Sequence, residues 1–128
     1  MIGAGARIVS TANMNDACIF CRIANGQIPA KLAHEDDRTV AFHDIDPRAP
    51  VHVLIIPRQH ITGVDHLDTA DVDLVGEMFL VARQLARELG VADSGYRLVV
   101  NSGADAGQSV DHLHLHLLGG RPLKWPPG

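Results

Sequence analysis

The sequence has few of the features that mark membrane, secreted or nucleic-acid-binding proteins. Its longest largely apolar run covers residues 51–56, far fewer than the roughly 18 residues that span a bilayer, and its first residues lack the apolar core of a signal peptide. Eleven Lys and Arg residues against fifteen Asp and Glu give a net charge of −4 without any basic block, so duplex nucleic acid is a poor partner. We therefore predict a cytoplasmic protein that binds neither membranes nor duplex nucleic acid.

The composition is that of one folded domain. The 128 residues are 46% hydrophobic and 20% charged, which suffices for a core that needs no disulfides. Residues 1–15 are small or polar without periodicity, so we predict a flexible N-terminal arm before a domain over residues 16–128. Two features remain to be explained, namely eight histidines and two cysteines at Cys-x-x-Cys spacing.

The periodicity predicts two helices and five strands. A short helix is expected over residues 17–24 and a long one over residues 71–89, where apolar residues recur every three or four positions up to Gly90. Apolar positions cover about half of the long helix, more than one packed face requires, which suggests a second surface such as another subunit. Strands grouped as hairpins beside two helices favour an antiparallel α+β sheet. The strands are expected over residues 30–34, 39–44, 51–56, 96–101 and 110–118.

Three histidines alternate with leucines in the last predicted strand. Because alternate residues of a strand point to the same side about 7 Å apart, His112, His114 and His116 should share one face and the leucines the other. Such a face could bind a metal ion, could be the polar side of a half-exposed strand, or could supply a nucleophile. Imidazole suits the last role, since its pKa near about 6.5 leaves it neutral at pH 7.

Two further motifs carry potential chemistry. Cys18 and Cys21 could be a redox pair, two inert small residues, or half of a tetrahedral zinc site that needs two more ligands. The loop over residues 101–109 contains Gly103 and Gly107, which let backbone N–H groups turn towards an anion. Glycine and serine are also ordinary turn residues, so the loop alone predicts a phosphate site only weakly.

Residues 112–118 resemble the His-φ-His-φ-His-φ-φ signature, with φ apolar, of the histidine triad (HIT) hydrolases and transferases. The resemblance covers residues 18–128 and points to the Hint branch, in its prokaryotic type with Cys-x-x-Cys. It implies a five-stranded antiparallel HIT fold with one long and one short helix, whose sheets join across a homodimer. Besides the triad and the Gly-Gly-Arg and Trp-Pro-Pro-Gly motifs of the tail, it rests on residues 28–31, 41–45, 52–57 and 107–110.

The resemblance implies hydrolysis of purine nucleoside 5′-phosphoramidates, in which the P–N bond between AMP and an amine is cleaved. His114 would attack phosphorus and form a nucleotidyl-histidine intermediate that water then hydrolyses. His116 would contact the phosphate, and His52 and His112 would complete the catalytic set. A dinucleoside polyphosphate hydrolase and a nucleotide-sensing interaction module with incidental turnover stay open as alternatives.

By the same resemblance, side chains from several elements would bind the nucleotide. Asp44 would accept hydrogen bonds from the ribose hydroxyls, although it could equally begin a turn. Gln108 and Ser109 would add donors to the phosphate loop, the base would lie in an apolar slot, and the tail would contact the leaving group. The predicted nucleotide-binding set is Ile19, Phe20, Ile23, Phe42, His43, Asp44, Ile45, Asn101, Gly107, Gln108, Ser109, His114, His116 and Trp125.

The resemblance also completes the zinc hypothesis. Members with the cysteine pair complete the site with two histidines, which match His60 and His112. We therefore predict a structural Zn²⁺ that Cys18, Cys21, His60 and His112 bind and that clamps the N-terminal helix to the last strand. No cofactor is expected to be required for catalysis, and redox-active or inert thiols remain the alternatives.

Overall fold

The computed structural model describes residues 17–128, and the arm predicted for residues 1–15 lies outside the described residues. Five strands form one antiparallel sheet in the order β1-β2-β3-β5-β4. The predicted α+β fold with one long and one short helix is confirmed. The elements are α1 (Ile19–Ala24), β1 (Leu32–Glu35), β2 (Thr39–His43), β3 (Val51–Pro57), α2 (Val72–Glu88), β4 (Tyr96–Val99) and β5 (Leu115–Gly119), with short 3-10 helices at Val64–His66, Thr69–Asp71 and Ala104–Ala106.

Both faces of the sheet are buried because a helix packs on each. β3 is the shared element: Val53 and Ile55 join the cluster under α2, whereas Leu54 and Ile56 join the cluster under α1. Its residues are therefore apolar on both sides, as expected of a central strand. The α2 side also contains Leu74, Met78, Leu85, Leu113, Leu115 and Leu117. The α1 side contains Cys18, Phe20, Cys21, Val40 and Phe42.

The last strand begins later than the sequence predicts, at Leu115 rather than at residue 110. The β3–β5 register pairs Ile55 with Leu115, so the next pair with the same orientation would set Pro57 opposite Leu113. Proline has no N–H to donate to a ladder, and the Leu113 N–H donates instead to the Ile61 carbonyl at 2.6 Å. His112 and His114 therefore precede the strand, while the leucines still pack under α2.

Apolar side chains remain exposed on α2 and at the sheet edge. Val72, Phe79 and Leu80 of α2 are 68%, 47% and 62% exposed. β4 is an outer strand of the sheet, and Tyr96 and Val100 are exposed there. None of the helices within residues 17–128 has the length and apolar character needed to cross a membrane.

Candidate active site

His52, His114 and His116 lie together between the sheet and α1. The ring centroids of His114 and His116 are 5.0 Å apart, and those of His52 and His116 are 5.2 Å apart. The Phe20 ring of α1 contacts His114 edge-on at 5.2 Å. His52 and His114 are 6% and 4% exposed, so the imidazoles occupy a cleft largely shielded from water.

A main-chain hydrogen bond determines which nitrogen of His114 is available. Its Nδ1 lies 2.7 Å from the carbonyl oxygen of His112. A carbonyl only accepts, so Nδ1 must carry the hydrogen. In the neutral ring Nε2 then holds the lone pair, which makes it the nitrogen that can attack an electrophile.

A second main-chain group determines which of His52 and His116 donates the hydrogen bond between them. The Arg48 N–H donates to His52 Nδ1 at 3.1 Å, so the hydrogen of neutral His52 is on Nε2. That Nε2 lies 2.9 Å from His116 Nδ1 and donates to it, which leaves the hydrogen of His116 on Nε2. Within residues 17–128, His116 Nε2 is the one buried side-chain nitrogen or oxygen without a hydrogen-bond partner, and an anion in the cleft would satisfy it.

Burial keeps this pair uncharged at neutral pH. Desolvation, together with the neighbouring His114 and His52, lowers the pKa of His116 to about 4, against the opposing charge of Asp44. Desolvation also lowers the pKa of His52, while Asp44 opposes the shift. A phosphate in the cleft would therefore meet a neutral N–H donor rather than an imidazolium ion.

Asp44 fulfils the turn role that the sequence left open and also faces the histidines. Its Oδ1 accepts the Asp46 N–H at 2.8 Å, and its Oδ2 lies 3.5 Å from His52 Nε2. Asp44, His52 and His116 are close enough for their ligand atoms to share an ion. The Arg48 N–H disfavours such an ion. Because it donates to His52 Nδ1, the hydrogen of neutral His52 is on Nε2, which then donates instead of binding a metal.

The residues predicted to form the base slot differ widely in burial. Phe20 and Phe42 are buried and contact each other edge-on at 5.4 Å, and Ile23 is half-buried against the same cluster. Ile19 is 48% exposed and Ile45 is fully exposed at 101%. The buried part of the predicted base slot is therefore the pair Phe20 and Phe42, whereas Ile19 and Ile45 are exposed to solvent.

In the predicted phosphate loop the Gln108 side chain is used internally. Its Oε1 accepts the Gly103 N–H at 2.9 Å, and its Nε2 donates to the carbonyls of Thr62 and Val110 at 2.8 and 3.1 Å. The amide therefore braces the loop instead of presenting free donors to an anion. Gly103 and Gly107 have φ values of 87° and 84°, a region that favours glycine. Asn101 and Ser109 are the two ends of the loop, after β4 and before His112 in the chain.

Cys18, Cys21, His60 and His112 form a second cluster whose four ligand atoms lie within 4.8 Å of one another. His112 Nδ1 is 3.3 Å from Cys18 Sγ and 3.5 Å from Cys21 Sγ, and His60 Nδ1 is 3.2 Å from Cys21 Sγ. Tetrahedral zinc bonds to sulfur and nitrogen imply ligand separations of about 3.3–3.8 Å. The cluster therefore fits a tetrahedral ion with little rearrangement.

The protonation of His112 also suits a metal ligand. Its Nε2 donates to the Pro57 carbonyl at 2.8 Å, which leaves the lone pair on Nδ1, towards the thiols. Burial lowers the pKa of His112 to about 4, so the ring is neutral at pH 7. A ligating histidine whose other nitrogen donates to a carbonyl is the usual arrangement in metal sites.

The structure shows one contribution that the sequence analysis missed. The Arg48 main chain orients His52, and main-chain groups leave no side-chain motif in a sequence. Trp125 of the tail is 82% exposed, and the carbonyls of its neighbours Leu123 and Lys124 accept hydrogen bonds from Arg97. His43 is half-buried at the end of β2.

The sequence and the fold are similar to those of known proteins. Residues 25–123 match the model of the HIT domain. An uncharacterized HIT-like protein of Synechocystis is 47% identical over 115 residues, which cover 90% of this chain and all of that protein. A HIT family hydrolase from Legionella pneumophila is 48% identical with a TM-score of 0.86, over 87% of this chain and 99% of that one. A histidine triad nucleotide-binding protein from Candida albicans is 34% identical with a TM-score of 0.73, over 85% and 82% of the two chains.

The lowered pKa of His116 can be measured directly. In phosphate-free buffer we expect the His116 ring to stay neutral as the pH falls from 7 and to titrate with a midpoint of about 4, as followed by NMR of histidine-labelled protein. The unfolded chain should titrate near about 6.5, so it binds more protons than the folded state between these values, and folding stability should fall on acidification through this window. A midpoint near that of the unfolded chain would contradict the buried, neutral donor.

Proposed function

This chain belongs to the HIT domain family, and we propose that it hydrolyses the P–N bond of purine nucleoside 5′-phosphoramidates. The proposal rests on one observation: the His114 ring, whose Nε2 holds the lone pair, lies with its centroid 5.0 Å from that of His116, whose Nε2–H is unpartnered. A nucleophile next to a neutral anion donor is what displacement at a nucleotide phosphorus requires. The hydrolase from Legionella pneumophila and the nucleotide-binding protein from Candida albicans support the reaction class and the ligand class.

The reaction would proceed by two displacements at phosphorus. His114 Nε2 attacks, a bond from this nitrogen to phosphorus forms, and the P–N bond to the amine breaks as the amine takes a proton from solvent, to which the water of the second displacement later returns one. The hydrogen stays on His114 Nδ1 and is donated to the His112 carbonyl, and this acceptor stabilises the positive charge that the ring acquires. Water then cleaves the nucleotidyl-histidine to release AMP and restore His114.

His116 and the neighbouring residues would position the nucleotide. The His116 Nε2–H would donate to a phosphate oxygen, and its direction is maintained by His52. Asp44 retains one carboxylate oxygen, Oδ2, that is not used in its own turn and could accept from ribose hydroxyls. The buried pair Phe20 and Phe42 would contact the base on its apolar face.

Replacement of His114 tests the nucleophile. His114→Ala should lower the release of amine from an adenosine phosphoramidate by at least about a thousandfold, because no group replaces the attacking nitrogen. AMP binding, measured by calorimetry, should change little. His66→Ala is the matched control, since His66 is an exposed histidine remote in sequence from the triad. Retained turnover in His114→Ala, or wild-type hydrolysis of diadenosine polyphosphates in preference to the phosphoramidate, would contradict the assignment.

We also propose that Cys18, Cys21, His60 and His112 hold a structural Zn²⁺. The separations of the ligand atoms and the orientation of His112 support this. The Cys18 sulfur additionally accepts the Cys21 N–H at 3.3 Å, which orients this sulfur within the cluster. When bound, the ion would join α1 to the segment before β5 without taking part in the displacement.

Metal analysis tests the zinc site without reference to turnover. We expect about one zinc per chain in purified protein, loss of this zinc in Cys18→Ser, and a lower melting temperature for both that variant and chelated wild type. His66→Ala should retain the metal. Well under one zinc per chain, together with an unchanged melting temperature in Cys18→Ser, would contradict the site.

The exposed apolar surface supports a homodimer. β4 is an outer strand with unpaired main-chain groups on its outer side, a surface that favours pairing with another strand. Phe79 and Leu80 are exposed neighbours on α2, and exposed apolar side chains that lie together favour an interaction surface. A second copy of the chain would cover both features at once by extending the sheet.

Sedimentation analysis tests the dimer. The wild type should sediment as a dimer, and Phe79→Glu should shift it towards monomer because a charge would be buried at the interface. Val64→Glu, which changes an exposed valine of a 3-10 helix, should leave the dimer intact. A monomeric wild type at micromolar concentration would refute the homodimer.

A further inference from the structure

We infer that Arg121 is a positioning residue for the His52–His116 pair, and that it acts through the main chain of Arg48. Arg121 follows β5 in the turn that leads to the tail. Its guanidinium is bound to the loop that precedes β3 rather than to an acidic side chain. The importance of this residue for turnover rests on the proposed function, whereas its effect on the two imidazoles does not.

The contact is a two-donor clamp on one carbonyl. Arg121 Nε and Nη2 both donate to the Arg48 oxygen, at 3.0 and 2.8 Å, and Nη1 donates to the Pro122 oxygen at 3.0 Å. The planar fork of arginine fits this arrangement and lysine can reproduce it only in part. Arg48 is thus bound at both main-chain groups, because its N–H donates to His52 Nδ1.

The side chain of Arg48 does not explain why the loop stays in place. It bonds to Asp46 at 3.0 Å, but the two side chains are 73% and 77% exposed, and exposed pairs of this kind contribute little. The turn after β5 instead holds the loop. A Cβ on Gly120, whose φ is 94°, would lie 2.9 Å from the Pro50 Cβ, so the two segments are in close contact.

Loss of the clamp would remove the main-chain part of the constraint on the His52 hydrogen, leaving Asp44 Oδ2, 3.5 Å from His52 Nε2, as the group that still favours a hydrogen there. With the Arg48 N–H in place, His52 donates to His116 and His116 presents Nε2–H to the cleft. Without it, His52 can carry its hydrogen on Nδ1 and accept from His116 Nδ1 instead. His116 would then turn a lone pair towards the phosphate, which repels an anion where the other tautomer attracts it.

Nitrogen NMR of nucleotide-free, ¹⁵N-histidine-labelled protein at pH 7 tests the inference. In the wild type, Nδ1 of both His52 and His116 should give a signal typical of an unprotonated nitrogen and Nε2 one typical of a protonated nitrogen. Arg121→Met removes the donors but keeps an unbranched side chain, and it should show a mixture of tautomers at both rings. Its kcat/KM for the phosphoramidate should fall about threefold to tenfold, with Arg121→Lys between it and the wild type.

Arg97→Met is the matched control. Arg97 also donates to main-chain carbonyls of the tail, those of Leu123 and Lys124, but it does not bond to the Arg48 loop. This variant should loosen the tail and leave both tautomers as in the wild type. Gly120→Ala provides a second route to the same state, because the new methyl group would push Pro50 away while Arg121 is kept.

The outcomes separate this inference from the proposed function. Wild-type tautomers in Arg121→Met, or equal mixtures in Arg121→Met and Arg97→Met, would overturn the positioning role, since Arg121 would then only hold the tail. Mixed tautomers in Arg121→Met and Gly120→Ala, but not in Arg97→Met, would establish the role. That result stands even if the wild type fails to hydrolyse the phosphoramidate, in which case only the proposed function is lost.

Discussion

The candidate site depends on the hydrogen bond from His114 Nδ1 to the His112 carbonyl. If that carbonyl moved, the ring could carry its hydrogen on either nitrogen, and the nucleophilic lone pair would no longer be fixed towards the cleft. His112 is itself held from two directions: its ring donates to the Pro57 carbonyl and its Nδ1 faces the two thiols. His112 therefore links the two sites: its ring belongs to the cysteine–histidine cluster, and its carbonyl orients the proposed nucleophile.

The same logic applies on the other side of the cleft, where His116 takes its orientation from His52 and His52 takes its own from Arg48. The hydrogen position on each imidazole thus depends on a main-chain group, the His112 carbonyl for His114 and the Arg48 N–H for His52 and His116. These groups lie at places where the chain leaves the sheet, namely the loop before β3 and the segment before β5. The site combines a sheet that carries His52 and His116 with two short irregular segments that supply the carbonyl and the amide orienting the imidazoles.

Local pattern in the sequence was sufficient to predict much of the fold. The three-and-four spacing over residues 71–89 corresponds to α2 at Val72–Glu88, and the alternation of histidine and leucine gave the correct two faces of the last strand. The start of that strand could not be predicted, because it depends on Pro57 lying opposite Leu113 in the register. Likewise the hydrogen bond from Gln108 to the Thr62 carbonyl and the full exposure of Ile45 depend on how segments distant in sequence pack together. The histidine tautomers depend on main-chain carbonyls and amides, which no sequence motif distinguishes.

The uncharged state of His116 matters for the proposed reaction, because the neighbouring His114 would acquire a positive charge in it. In the proposed reaction the His114 ring would become cationic on bonding to phosphorus, and the ring centroid of His116 is 5.0 Å away. A cationic His116 would repel that intermediate and raise its free energy, whereas a neutral N–H donor can bind the phosphate without this cost. Burial, which lowers the pKa of His116 to about 4, therefore selects the protonation state that allows one imidazole to acquire charge while its neighbour remains a donor.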